Sequence, residues 1–336
     1  MRLFETARLM RRLAVVVVFT WFGCVLAAEP VRPLRPEVEA FVDEMAEKHG
    51  IGRSELRAIM QQARLQRDIL RAMSGQSRAR PWYRYRPLYV NADRIAGGVR
   101  FWDAHAPLFA RAEREYGVPA EIIVATIGVE TIYGTYTGRH RVLDALSTLA
   151  FDFPRRAEFF RGELEQFLLL VRDRIVDPWT IKGSYAGAMG IPQFLPSSFQ
   201  RYAVDFDADG RKDLSDGVAD SIGSVANYYR SFGWQEGRPI VVAARVQGDG
   251  YAALAEQGIE PRIDAATLKR AGVTPLENSG DDLVAMLVLE GQTGPEYWLG
   301  LNNFYMITRY NRSVNYAMSV HQLANEIRAA REARGR

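Results

Sequence analysis

Cysteine is almost absent: the 336 residues contain one, Cys24. It falls within a stretch that reads as a removable leader, so the processed chain is expected to hold no disulfide and to rest on an ordinary buried core. No apolar run is long enough for a membrane span; the longest, Leu13–Phe22, is ten residues where about 20 are needed. Internal repeats and low-complexity tracts are absent, which excludes solenoids and repeat arrays. Excess charge is scarce as well. The formal net charge is +3, but residues 1–28 carry four Arg and one Glu, so their removal leaves about zero. The basic isoelectric point therefore gives no support for a nucleic-acid partner.

That N-terminal stretch combines a basic start (Arg2, Arg8, Arg11, Arg12), the Leu13–Phe22 apolar run and a small-residue end, Val25-Leu26-Ala27-Ala28. It is predicted to be a secretory signal peptide covering 1–28. Trp21-Phe22-Gly23-Cys24 fits a lipoprotein box poorly, because an aliphatic residue is expected three places before the cysteine. Soluble export is expected, with lipid anchoring at Cys24 as the alternative.

The rest, within a chain that is 48% hydrophobic, can bury a sizeable core and suggests two or three lobes. Pro30, Pro33 and Pro36 mark a linker over 29–36. Val38, Phe41, Val42 and Met45 follow the i, i+3, i+4, i+7 template, predicting a helix from Pro36 to near Gly50. Ser54 is a candidate cap for the next helix, with Leu56, Ile59 and Met60 inward. Trp82-Tyr83-Arg84-Tyr85-Arg86 is an aromatic cluster that suits packing or a sugar face. A helix is expected over 95–116 and an amphipathic one over 155–176, with Phe160, Leu164, Phe167, Val171 and Ile175 on one stripe and Pro178 ending it. From Pro239 the pattern changes. Ile240–Val246 and Leu283–Leu289 read as strands with a helix Ala265–Arg270 between them, and helix resumes near Ser313.

Residues 117–134 form the most apolar helical stretch, with Pro119 in the first turn and Gly134 as a stop. Ile122, Ile123, Val124, Ala125, Ile127 and Val129 leave no polar face, so the helix should be buried. It carries one carboxylate near its end, Glu130. Burial raises a carboxyl pKa, and a neutral acid at a cleft can donate a proton; a structural ion pair with an Arg is the alternative. The segment from Lys182 to Phe194 is rich in Gly and Ala, which allows either close approach of a ligand or tight packing.

Asp205-Phe206-Asp207-Ala208-Asp209-Gly210-Arg211-Lys212-Asp213 places acids at positions 1, 3, 5 and 9 and Gly at 6 of an EF-hand calcium loop, with the Arg211 carbonyl at 7. Position 12 holds Asp216 instead of Glu, so Asp220 rivals it as the closing ligand. A solvated acidic turn is the alternative. A lone loop without a Met-rich helix pair suits a structural clamp rather than a sensor.

Gly128-Val129-Glu130-Thr131, Gly183-Ser184-Tyr185-Ala186-Gly187-Ala188-Met189-Gly190 with Gln193-Phe194, the Asp205 loop, Ser224-Val225-Ala226-Asn227-Tyr228 and Thr308-Arg309-Tyr310-Asn311-Arg312-Ser313 occur in that order. Together they resemble the B-type lytic murein transglycosylases, over about Trp82 to Gln322. The resemblance implies a mainly α (α+β) fold: a lysozyme-like helical catalytic core, an N-terminal helical region and a small inserted α/β lobe. The expected division is 1–28 leader, 29–94 linker and helices, 95–236 core with the EF-hand-like loop, 237–297 α/β lobe and 298–336 return to the core. No separate glycan-binding module is expected.

The resemblance further implies cleavage of the β-1,4 bond between N-acetylmuramic acid and N-acetylglucosamine in peptidoglycan, without water. Glu130 would be the single acid and then base, leaving 1,6-anhydromuramic acid ends. Substrate positions carried over are Ser184, Gln193, Tyr85, Tyr228, Tyr310, Asn311 and Tyr316. A structural Ca2+ would be held by Asp205, Asp207, Asp209, Arg211 and Asp220, with no organic cofactor. Peptidoglycan strands are the expected partner, with cell-wall synthesis or hydrolysis proteins as candidates, and the periplasm the expected location (the outer membrane if Cys24 is lipidated). Asp144 and Asp152 read as helix-end residues, not as a second catalytic carboxylate. The rival readings are a hydrolytic muramidase and a non-catalytic, calcium-stabilised peptidoglycan-binding protein.

Overall fold

The computed structural model describes residues 33–75, 80–278 and 282–334. The expected leader 1–28, Cys24 within it and Pro30 of the linker lie outside the described residues. Fifteen α-helices and six short strands among the described residues make the fold mainly α.

Its centre is the helix Ala120–Thr131, in which ten of twelve residues are buried. Ile122, Ile123, Val124 and Ile127 face protein on every side, and each contributes about 1.5–3 kcal/mol by leaving water. Around it pack Ala92–Ala104, Ala106–Tyr116, Val218–Ser231 and the last helix, Val314–Arg334. Pro119 is the N-cap rather than the first helical residue, and the helix stops at Ile132, not at the expected Gly134. Ile132 and Tyr133 are both left-handed, at φ 53° and 60°, which costs of order 1 kcal/mol or more apiece for residues with a Cβ.

The Tyr133 ring explains why that strain persists. It lies across Gly97, Gly98 and Gly128, where an added Cβ would sit 2.9, 2.8 and 2.6 Å from its atoms. Its hydroxyl donates to the Arg94 carbonyl at 2.6 Å. Gly128→Ala is therefore expected to push the ring out and lower stability by about 1–3 kcal/mol, the usual cost of overpacking. A denaturant midpoint equal to the parent's would show that the slot is loose.

The N-terminal helix Pro36–His49 ends at Gly50 and buries Val38, Phe41, Val42 and Met45 as its spacing predicts. The next, Arg53–Gln61, buries Leu56, Ile59 and Met60, but Gly52 is its N-cap and Ser54 lies inside the helix without capping it. Trp82–Tyr89 is helical with Trp82 buried. The single helix expected over 95–116 is two, broken at His105. Pro107 has no N–H to continue the first helix's ladder and is tolerated only in a first turn, so a new helix begins at Ala106. The helix expected to reach residue 176 ends at Arg172, because Arg174 turns left-handed at φ 57°. Ile175 is thus off the stripe and exposed.

Four antiparallel strands form a sheet in the spatial order Val273–Pro275, Val241–Val246, Pro295–Gly300, Ala285–Glu290. Leu287 pairs with Trp298 and Met286 with Leu299. Ala285, Leu287 and Leu289 face the helical core, while Val284, Met286 and Leu299 join a second cluster with Leu254 and Leu268 of the helices Tyr251–Ala255 and Ala265–Arg270. Burial of both faces is why this strand reads as an unbroken apolar run. Two strands, Val273–Pro275 and Pro295–Gly300, and the helix Asn302–Tyr310 were not expected. The first is too short for a pattern, and the second lies against Gly294 and Pro295, turn residues that mask its start.

Candidate active site

Glu130 is the penultimate residue of the central helix, partly exposed between the buried Val129 and Thr131. Burial raises its carboxyl from 4.5 to about 7, and the hydroxyl of Tyr316 opposes this by donating to Oε1 at 2.5 Å. Among the described residues its hydrogen-bond partner is this phenol, not an arginine. A carboxyl with such surroundings is half protonated at neutral pH and can give and retake a proton.

Aromatic side chains enclose it. Tyr310 lies 4.7 Å from Tyr228 and 5.7 Å from Tyr229 between ring centroids. Burial pushes the phenols of Tyr85, Tyr228, Tyr229, Tyr310 and Tyr316 upward, and the charge of Glu130 adds to the rise in each. These rings keep their protons, and most are committed to protein partners. Tyr228 donates to the Arg309 carbonyl at 2.7 Å and Tyr310 to the Pro192 carbonyl at 2.6 Å. Tyr229 pairs with Thr126 at 2.9 Å. The structure thus brings Tyr85, Tyr228, Tyr310 and Tyr316 to Glu130. Tyr85 also stacks beside Tyr89 at 5.1 Å. Asn311 is exposed at the C-cap of its helix.

In the Gly-rich segment, tight packing accounts for the glycines. A Cβ on Gly183 would lie 2.2 Å from the Ala188 carbonyl oxygen, one on Gly187 would lie 2.4 Å from Leu146, and one on Gly190 would lie 2.2 Å from the Leu214 oxygen. The Ser184 hydroxyl accepts the N–H groups of Ala186 and Ala188 at 3.3 and 3.1 Å, which leaves its proton to donate. Gln193, left-handed at φ 51°, spends its amide nitrogen on the carbonyls of Thr137 and Gly190 at 2.8 and 2.9 Å. Its oxygen is the end left to accept. The turn is fixed to the central helix, since Thr131 donates to the Ile191 carbonyl at 2.8 Å.

The other acids are occupied. Asp144 opens its helix and accepts from Arg64 N at 2.9 Å, Gln66 Nε2 at 3.3 Å and the Arg141 guanidinium. Asp152 ends the same helix in a two-pronged pair with Arg35 at 2.9 and 3.0 Å. Both are the helix-end residues their positions suggested.

Asp205, Asp207 and Asp209 bring carboxylate oxygens within 4.8 Å of one another. Asp205 accepts the N–H groups of Asp209 and Gly210, and Asp209 that of Arg211 at 2.8 Å. Asp220 is buried and binds the loop's backbone instead, accepting Phe206 N at 2.6 Å and Asp213 N at 2.7 Å. Asp216 is exposed and donates its own N–H to Asp213. Three converging carboxylates are hard oxygen donors, which suit Ca2+ better than a transition metal. The loop also reaches the site, because the Leu214 carbonyl accepts Ile191 N at 2.7 Å.

Residues missing from the sequence expectations are Thr126, Tyr229, Tyr133 and Arg94, whose guanidinium donates to the Gly128 carbonyl. Thr126 carried a signal: a hydroxyl in the middle of an apolar helix needs a buried partner.

Residues 33–325 match the transglycosylase SLT domain family. The chain is 45% identical over 307 residues to membrane-bound lytic murein transglycosylase B of Escherichia coli (strain K12), covering 88% of this chain and 84% of that protein. The structure superposes on soluble lytic transglycosylase SltB1 from Pseudomonas aeruginosa with a TM-score of 0.84 and 48% identity, covering 88% of this chain and all of that one. It also matches the Escherichia coli lytic transglycosylase Slt35 in complex with calcium, with a TM-score of 0.81 and 45% identity over 88% of this chain and 94% of that one. The chain belongs to the transglycosylase SLT domain family.

Proposed function

We propose that this chain is a peptidoglycan lytic transglycosylase that cleaves the β-1,4 bond between N-acetylmuramic acid and N-acetylglucosamine with Glu130 as its one acid and base. The observation that carries the reading is a carboxyl raised to about 7 by burial, with a phenol as its partner. Glu130 protonates the glycosidic oxygen as the C1–O bond breaks. Positive charge on the sugar is captured by the substrate's N-acetyl group, which Ser184 as donor and Gln193 as acceptor can bracket. The carboxylate then removes the proton from the C6 hydroxyl, which attacks C1 and closes the 1,6-anhydro ring. A tethered hydroxyl has a large proximity advantage over water, and no second carboxylate is needed to activate water. The test is digestion of purified sacculi in heavy-oxygen water. Unlabelled 1,6-anhydromuramic ends are expected; labelled, reducing muramic acid as the main product would make the chain a muramidase.

Asp205, Asp207 and Asp209, with the Arg211 carbonyl and Asp220 behind them, would hold a structural Ca2+ that neutralises their mutual repulsion. Through Leu214 and Ile191 the loop supports the turn beside Glu130. A metal bound only by the folded state stabilises by about 2.7 kcal/mol at a hundredfold excess over Kd. Chelation is expected to lower the melting temperature by several degrees, and Asp205→Ala/Asp209→Ala to abolish the response to added calcium. An undiminished calcium response in that variant would remove the assignment.

Among the described residues no helix is long and apolar enough to cross a membrane. A peptidoglycan substrate and the leader expected over 1–28 support a periplasmic location, where the cell-wall synthesis and hydrolysis proteins that are its candidate partners would also work. A mature N-terminus acylated at Cys24 would place it on the outer membrane instead.

A further inference from the structure

Arg94 has a part in the site that its place in the sequence does not suggest. It lies in the first turn of the helix Ala92–Ala104, where the Asn91 cap accepts its N–H at 3.0 Å. From there its guanidinium donates to the carbonyl of Gly128, two residues before Glu130 on the central helix. That carbonyl is among the last of its helix and also accepts the Ile132 N–H at 3.2 Å. The C-terminal end of a helix carries partial negative charge, so a cation is favoured there. The main chain of the same residue holds the far side of the turn, since the Arg94 carbonyl accepts the Tyr133 hydroxyl at 2.6 Å. Arg94 thus grips residues 128 and 133 at once, and Glu130 lies between them.

The guanidinium also meets the aromatic enclosure of Glu130. Its Cζ lies 5.2 Å from the centroid of the Tyr89 ring, within the range of a cation–π contact. Tyr89 in turn lies 5.1 Å from Tyr85, a ring close enough to feel the charge of Glu130. Among the described residues the guanidinium is spent on a carbonyl and a ring, not on a carboxylate. A planar guanidinium donates at its edge while stacking by its face; an ammonium is a point charge without such a face.

Resting on the transglycosylase reading above, we propose that Arg94 is a positioning residue for the reaction: it locks the Glu130 end of the central helix to the Tyr85–Tyr89 pair, so that the proton donor and the aromatic surface beside it keep one spacing. Protonating the glycosidic oxygen requires the carboxyl within hydrogen-bond reach of it. Tyr316 fixes the carboxyl oxygen, but the backbone that carries Glu130 runs straight into two left-handed residues, Ile132 and Tyr133. Arg94 braces that backbone from both sides. A misplacement of about 1 Å can cost about a hundredfold in rate. Arg94 acts through Gly128 and Tyr89 rather than on the sugar, so its effect belongs in kcat.

The test measures kcat and KM on soluble glycan strands for Arg94→Met and Arg94→Lys, each well below its melting midpoint. Arg94→Met is expected to lower kcat roughly ten- to a hundredfold, with KM within about threefold of the parent's. Arg94→Lys keeps a donor and a charge but loses the planar face. It should recover part of the loss and stay roughly three- to tenfold below the parent. The lysine variant carries the test alone if the methionine one does not fold. A folded variant of either kind with the parent's kcat would overturn the proposal, even with a lowered melting temperature, because that is the mark of a purely structural brace. A rise in KM alone would make Arg94 a binding residue and overturn it too. Tyr89→Leu closes a double-mutant cycle: its loss in kcat should be non-additive with that of Arg94→Lys, since both cut one contact. Losses that simply multiply would break the link to the aromatic pair, and the proposal with it. A parent that leaves no 1,6-anhydromuramic ends would instead overturn the transglycosylase reading, on which this proposal rests.

Discussion

Replacing Glu130 with Gln is expected to abolish lytic activity while leaving the fold intact and, above neutral pH, making it more stable. The amide is nearly isosteric with the carboxyl, and Tyr316 can still donate to its oxygen, so the helix end keeps its packing. What is lost is the transferable proton, a contribution of about 10²–10⁴ in rate for general acid–base catalysis. No neighbouring acid can substitute, because Asp144 and Asp152 are held in their own partnerships at the two ends of another helix. Turnover of sacculi by the variant within tenfold of the parent would place the acid elsewhere.

The opposite movement of stability and activity is what distinguishes this site from a structural one. A carboxyl buried for packing reasons would be paired with a cation. Glu130 is left beside a phenol, and the protein carries the cost of a group whose charged form it disfavours. Such a group fits the acid role proposed for Glu130.

How much of this was readable beforehand depended on whether a residue's role is local. The burial of Ala120–Thr131 followed from composition alone, since a helix with no polar face has nothing to turn toward water. The Asp205 loop was readable because its spacing is set by one turn of backbone. The two-helix break at His105 was also in reach, in Pro107, but apolar periodicity on either side masked it. What periodicity could not supply was the slot formed by Gly97, Gly98 and Gly128 for Tyr133. Those glycines come from two helices, and their common purpose exists only once the helices cross. The same holds for the Gly-rich segment, where either packing or a ligand would explain small residues until the carbonyls of Ala188 and Leu214 were seen against them. Tyr316 and Tyr310 came through family resemblance; nothing in its own stretch says that the Tyr316 hydroxyl meets a carboxyl 186 residues away in sequence.

Activity should fall about tenfold per pH unit above neutrality, as Glu130 loses the proton it must donate. With its carboxyl at about 7, roughly 1% remains protonated at pH 9, so kcat/KM there should be about a hundredfold below its plateau. A bound glycan excludes water and disfavours the carboxylate further, so the limb in kcat should lie above that in kcat/KM. Stability follows the same proton. The folded-state pKa lies above the ordinary 4.5, so the folded state binds more protons between the two values. The contribution is fully present below about 4.5 and is lost as pH rises through about 7, about 3 kcal/mol in all. Glu130→Gln removes that slope, so its advantage over the parent should be greatest above pH 7 and vanish near pH 4. Tyr316→Phe supplies the converse. Its hydroxyl holds the carboxyl down, so its loss should move the activity limb to higher pH and leave the variant less stable than the parent above neutrality. A limb unmoved in Tyr316→Phe, or a decline in the parent beginning near pH 5, would mean that some group other than Glu130 governs the reaction.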